Sequence, residues 1–209
     1  MPGPAPVAYD AGMHVALTDV LTCPRCGPGH GLILVPEEVR ERRVVSGFLG
    51  CADCRERYPV VSGVVDLSGG EVVGEVEAAG TEAGALGLAG QLGLAGAQGV
   101  VLLVGAAAAH ASELGSLVDG VEVVATLGTG VGGASSVRVG VRLPFQSGKL
   151  RGVALTGEAA GFLLEEGARL LAPAGRLVLD PVPAGSRARL DAAGLRVLAE
   201  GGGALVAGR

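Results

Sequence analysis

Apolar residues in this chain gather in short runs rather than long stripes. Residues 100–104, Val-Val-Leu-Leu-Val, are five apolar positions stopped by Gly105, too short for a helix and suited to a strand buried on both faces. Further candidate strands fall at Val121–Ala125, Ser135–Val139, 151–155 and 175–179, with helical or loop segments between them. That alternation predicts an α/β fold with an open, mostly parallel sheet. The clearest helix spans 157–171, where Phe162, Leu163 and Leu170 separate from Glu165, Glu166 and Arg169. A second helix is read over 81–96 from Leu86, Leu88, Leu92 and Leu94, although each interior glycine costs about 1 kcal/mol against alanine. The chain closes with apolar runs at 194–199 and 204–208 around Gly201-Gly-Gly203, the pattern of a terminal antiparallel hairpin.

The first third reads differently. A short helix is expected over 13–22, with Val15, Leu17, Val20 and Leu21 available to bury. Strands follow at 31–35 and 43–49, joined through 36–41, and at 57–61 and 64–67 around the turn Ser62-Gly63. Residues 68–80 are acidic and glycine-containing, which places a domain boundary there and divides the chain into 1–68 and 69–209. At 209 residues there is room for a small module and one domain of ordinary size.

All the cysteines lie in the first module. Cys23-Pro-Arg-Cys26 and Cys51-Ala-Asp-Cys54 are two Cys-x-x-Cys knuckles 24 residues apart. Two-residue spacing lets both sulfurs of a knuckle reach one ion, so the four thiolates suit a closed tetrahedral zinc site of structural kind. A redox pair needs only one such motif, and disulfides do not suit a reducing compartment. A catalytic zinc needs an open position that four cysteines do not leave. Gly27 eases the turn after the first pair, whereas Arg55 holds the equivalent place after the second. His30 is read as a surface loop residue rather than a ligand. A small β-rich zinc ribbon is the result.

Leu21-Thr-Cys-Pro-Arg-Cys-Gly27, Gly50-Cys-Ala-Asp-Cys54 and Tyr58-Pro-Val-Val-Ser-Gly-Val-Val-Asp-Leu67 together resemble the small zinc-binding activator subunits of tRNA, rRNA and release-factor methyltransferases, and their short bacterial relatives. The resemblance covers residues 14–67. It implies a module that stabilises a methyltransferase by adding a strand to its sheet and covering apolar surface, without catalysing anything itself.

Composition narrows the partners. A net charge of -5 lacks the basic footprint that nucleic acid requires, so no direct nucleic-acid binding is expected. The N-terminal Met-Pro-Gly-Pro-Ala-Pro does not read as a secretion signal, and the longest apolar stretch, 92–109, is too interrupted to span a membrane. A cytoplasmic protein with reduced thiols is expected. Aromatics are 2% and Trp is absent, so Val, Leu and Ala must fill the core. Of the 16 basic residues only Lys149 is lysine, which with the abundant Ala and Gly reflects base composition rather than function.

The second module resembles the class I S-adenosylmethionine-dependent methyltransferases over residues 81–209. Leu143-Pro-Phe-Gln-Ser-Gly-Lys-Leu-Arg-Gly-Val153 and Glu166-Gly-Ala-Arg-Leu-Leu-Ala-Pro-Ala-Gly-Arg-Leu-Val-Leu179 carry the likeness, with the terminal hairpin. It implies a Rossmann-like sheet with a cofactor turn at Gly105. The ligand-binding positions depart from the pattern. Leu103 stands where an acid precedes the turn, and Ala107 and Ala109 replace glycines whose bare backbone the cofactor approaches. No acid follows the second strand at Val124-Ala-Thr126, Val139 takes the place of the adenine-side acid, and Arg151 that of an aspartate. Each lost charged hydrogen bond is worth roughly 1.5–3 kcal/mol, so the turn at Gly105 is read as vestigial, with S-adenosylmethionine not expected to bind and no catalytic residue assigned. His110 and Glu113 are read as a surface pair.

These observations lead to a non-catalytic, zinc-binding scaffold on a degenerate methyltransferase fold, with a protein partner or a second copy covering apolar surface. A methyltransferase, which the ribbon would serve in trans, or a larger complex is among the expected partners. The alternative is an S-adenosylmethionine-dependent methyltransferase with a zinc-ribbon activator fused in cis.

Overall fold

In the computed structural model, residues 11–70, 72–73 and 80–209 are described. Residue 71 and residues 74–79 of the expected boundary segment lie outside them, as do residues 1–10. The first module opens with β1 (Met13–His14), a 3-10 turn at Val15–Asp19, β2 (Thr22–Cys23) and β3 (Gly27–Gly31). It continues with β4 (Ile33–Arg40), β5 (Arg43–Gly50), β6 (Arg57–Val61) and β7 (Val64–Leu67). The helix expected over 13–22 does not form. Met13 and His14 are held extended by pairing with Val44 and Arg43 of β5, and a single tight turn follows. Nor does the chain leave the sheet at Pro36: β4 runs on to Arg40 and turns through Glu41 and Arg42, both at positive φ. Pro36 is accommodated because β4 is an edge strand, paired only with β5.

The second half comprises α1 (Glu82–Leu92), β8 (Gly99–Val104), a 3-10 segment Gly105–His110, α2 (Ala111–Leu117), β9 (Val121–Ala125) and β10 (Ser135–Val139). Then come β11 (Leu150–Thr156), α3 (Ala159–Phe162), α4 (Leu164–Leu170), β12 (Leu171–Asp180), α5 (Ser186–Ala192), β13 (Arg196–Gly201) and β14 (Ala204–Gly208). Helix α1 starts where the Thr81 side chain accepts from the Gly84 amide and stops at Gly93, whose φ of +63° allows the closing bonds to Ala89 and Gly90. The helix expected over 157–171 is broken at Leu163, which leaves helical geometry (φ -100°, ψ 7°), and chain 171–174 already belongs to β12.

Among the described residues twelve strands form one sheet in the order β1-β5-β6-β7-β10-β9-β8-β11-β12-β14-β13, with β4 on the outer side of β5. From β10 to β12 every pairing is parallel, and β14 is inserted antiparallel between β12 and β13. This is the mostly parallel sheet with a terminal antiparallel hairpin that the sequence predicts. Strand order reverses between β8 and β11, the point at which open α/β sheets bind ligands.

The ribbon is continuous with that sheet. Strand β7 pairs in parallel with β10, Val64 to Leu67 lying beside Ser136 to Val139. Leu21 also bridges Phe145, the Thr22 amide donating to Pro144 O (2.8 Å) and the Gln146 amide to Val20 O (2.8 Å). Alternation along the strands then divides the core. Val101, Leu103, Val123 and Ala125 face α1 and α2, whereas Leu102, Val104 and Val124 share the other side with α3 to α5 and with Met13, Leu17, Leu49 and Tyr58 of the ribbon. Among the described residues no helix is long and apolar enough to cross a membrane.

Candidate metal centre and the Gly105 turn

Each cysteine knuckle is shaped by the strand before it. Cys23 closes β2, and Gly27 (φ +95°) reverses the chain so that β3 pairs back onto β2. Cys51 follows β5, its amide donating to Glu56 O and its carbonyl accepting from the Arg55 amide, both at 3.0 Å. Arg55 adopts the same left-handed conformation (φ +62°) without glycine's freedom. The two knuckles bring all four sulfurs within 4.8 Å of one another. Cys23 Sγ lies 3.6 Å from Cys54 Sγ, and Cys51 Sγ 3.8 Å from Cys26 Sγ. A metal about 2.3 Å from four tetrahedral sulfurs sets them about 3.8 Å apart, a spacing that these two pairs already have, so the cluster could hold such an ion.

The surroundings distinguish the ligands. Cys23 and Cys51 are buried, Cys26 and Cys54 half-buried. Burial opposes ionisation of Cys23, but hydrogen bonds from the Tyr58 hydroxyl and from the Cys26 and Arg25 amides outweigh it and bring the thiol down to about 7. Cys26 is pushed up to about 12, first by its hydrogen bond with the Cys54 thiol, then by burial and by Cys51 and Cys23. Four thiolates at this spacing cannot ionise together unless a cation joins them. His30 lies on β3 rather than in a loop and is exposed; its Nδ1 meets the Asp53 carboxylate at 2.8 Å, outside the cluster.

At the end of β8 the chain turns through Gly105 (φ +76°), where a side chain would collide with Thr156. The Gly105 amide donates to Thr126 Oγ1 (3.4 Å) and the Ala107 amide to Thr156 Oγ1 (2.9 Å), while the Thr156 hydroxyl donates to Val104 O (2.8 Å). Ala107 and Ala108 are buried beneath the turn. Amides that in an open turn would face a ligand are therefore occupied by threonine hydroxyls. Val139, at the end of β10, is fully buried, and its carbonyl accepts from the Val73 amide (2.9 Å). Arg151 sits at the opposite end of the sheet, donating to Leu92 O, Gly93 O (2.7 Å) and Ala174 O (2.9 Å), and so closes the C-terminus of α1.

Two clefts flank the turn. One of about 680 Å³ has Val72, Val141, Phe162 and Glu158 in its walls, and the other, about 390 Å³, has Gln91, His110 and Asp180. His110 and Glu113 are half-buried rather than a surface pair. His110 Nδ1 accepts from the Thr81 amide (2.9 Å), and Glu113 Oε2 is buried without a hydrogen-bond partner among the described residues.

No protein-family model matches the sequence, and no curated protein matches it. Among solved structures, the antibiotic-resistance methyltransferase Kmr aligns with a TM-score of 0.41 over 66% of this chain and 97% of that one, at 17% identity.

Sequence reasoning picked out the four cysteines and Gly105 but missed Tyr58, Thr126 and Thr156 as parts of these sites. Tyr58 stood in the quoted Tyr-Pro stretch. Thr156 carried a quieter signal: a polar residue ending an apolar strand must find partners for its hydroxyl.

Proposed function

We propose that this protein is a non-catalytic, zinc-stabilised scaffold whose methyltransferase-like sheet has given up cofactor binding. One observation carries this reading: the amides of Gly105 and Ala107 are hydrogen-bonded to Thr126 and Thr156. A cofactor would have to break those bonds and then find no carboxylate at Leu103, Thr126 or Val139 to hold it. Cys23, Cys26, Cys51 and Cys54 would hold one structural zinc per chain, which supplies folding energy and no reactive position. The ribbon serves its own sheet, since β7 pairs with β10 in cis. Among the described residues β4 is an edge open to a protein partner or second copy, with Ile33, Val35 and Val39 exposed, and β13 is the edge at the other end of the sheet.

A second reading, a methyltransferase with its activator module fused in cis, is favoured by the cleft of about 680 Å³ at the strand-order switch. Calorimetric titration of S-adenosylmethionine into the zinc-loaded full chain separates the two. The scaffold reading expects no saturable heat below millimolar ligand; micromolar binding overturns it and installs the enzyme.

A further inference from the structure

We propose that Tyr58 is a positioning residue for the metal centre, its hydroxyl holding the Cys23 sulfur in its ligating place. The inference rests on reading the four cysteines as a zinc site. Tyr58 lies on β6 opposite Leu49 of β5, and its side chain and that of Val60 point into the core between the ribbon and the sheet. At 6% exposure Tyr58 is buried, and a buried tyrosine hydroxyl needs a partner. That partner is Cys23 Sγ, 3.2 Å away, which also accepts from the Cys26 amide (3.4 Å). Packing alone does not account for the residue: phenylalanine would fill the same space and bring no polar atom into the core.

The four ligands are thereby made unequal. Cys23 is fully buried and is the ligand that receives a hydroxyl hydrogen bond among the described residues, whereas Cys26 and Cys54 are half-buried. A thiolate that accepts hydrogen bonds carries less charge to repel its three neighbours, and it is held in place when an exposed ligand lets go. The metal accordingly leaves from the Cys26 and Cys54 side, with Cys23 the last to release. Removing the hydroxyl shortens that hold.

The test uses the full chain loaded with zinc or with cobalt, comparing the natural protein with Tyr58→Phe. Tyr58→Phe is expected to bind one equivalent of metal, to surrender zinc to a chelator about tenfold faster, and to shift the thiolate-to-cobalt charge-transfer band to lower energy. Val60→Ala, on the same buried face of the same strand, controls for packing: it lowers the melting temperature and leaves the band where it is. Release rate and band unchanged in Tyr58→Phe overturn the assignment of Tyr58 while leaving the metal site standing. A natural protein that takes up no metal removes both.

Discussion

Thr156 shows how a single hydroxyl can close a site. It donates to Val104 O and accepts from the Ala107 amide, joining the ends of β11 and β8 across the turn. Thr156→Val keeps the shape of the side chain but leaves a buried N–H unpaired, and losing such a partner costs about 1–3 kcal/mol. Urea denaturation should therefore show the midpoint of Thr156→Val falling by that equivalent, while Thr156→Ser stays close to the natural protein. If the valine variant is as stable as the original, the turn does not depend on this hydroxyl. Leu103, Val139 and Arg151 also become intelligible at this scale. The first two are fully buried, and Arg151 has moved its charge to the far end of the sheet to cap a helix.

At the scale of elements, β1 and the turn after it depend on His14. Its amide donates to Ser135 Oγ (2.9 Å), and its Nδ1 accepts from the Ala16 amide (3.2 Å), a bond that only the neutral ring can make. Burial lowers the His14 pKa; Glu122 opposes this, and Arg43 and Arg42 reinforce it. A base whose folded pKa is depressed contributes stability in full above its unfolded value, about 6.5, and loses it as pH falls below. The melting temperature of the natural protein should thus drop further between pH 7.5 and 5 than that of His14→Asn, whose amide oxygen accepts at either pH. Equal drops would show that His14 is not linked to folding. The same region shows what could be read from sequence. Val121–Ala125 is legible to the residue because a strand buried on both faces is a short, largely apolar run between turns, and Ser135–Val139 is legible from its place in the alternation of strands rather than from an apolar run. The segment over 13–22 is not, because pairing with β5, a distant strand, decides its conformation against its local pattern. Spacing alone brought the cysteines together, whereas the Tyr58 to Cys23 contact spans 35 residues and depends on how β2 meets β6.

At the scale of the whole molecule, the cysteine-bearing module and the α/β half share one sheet and one side of its core, so a metal bound to the cysteines should report on both. Cys23 directly follows Thr22, whose amide binds Pro144 O, and the neighbouring Phe145 is fully buried. Its carbonyl and that of Leu143 accept from Arg169 on α4, whose partner Glu166 accepts the Leu143 amide (3.0 Å). Further along, Arg43 of β5 meets Glu122 of β9 at 3.1 Å, both largely buried, with Ser135 donating to the same carboxylate. Loosening the first knuckle therefore pulls on the 143–146 loop and α4, and loosening β5 pulls on β9 and β10. An ion present at a thousand times its Kd adds about 4 kcal/mol to the folded state, enough for its removal to be felt throughout a marginally stable chain. Hydrogen exchange on the full chain, with and without a strong chelator, should show amides of β9 and β10 losing protection together with those of β5 and β6. Chelation that exposes only the ribbon and leaves β8 to β12 fully protected would mean that the β7 to β10 ladder joins two units that fold independently.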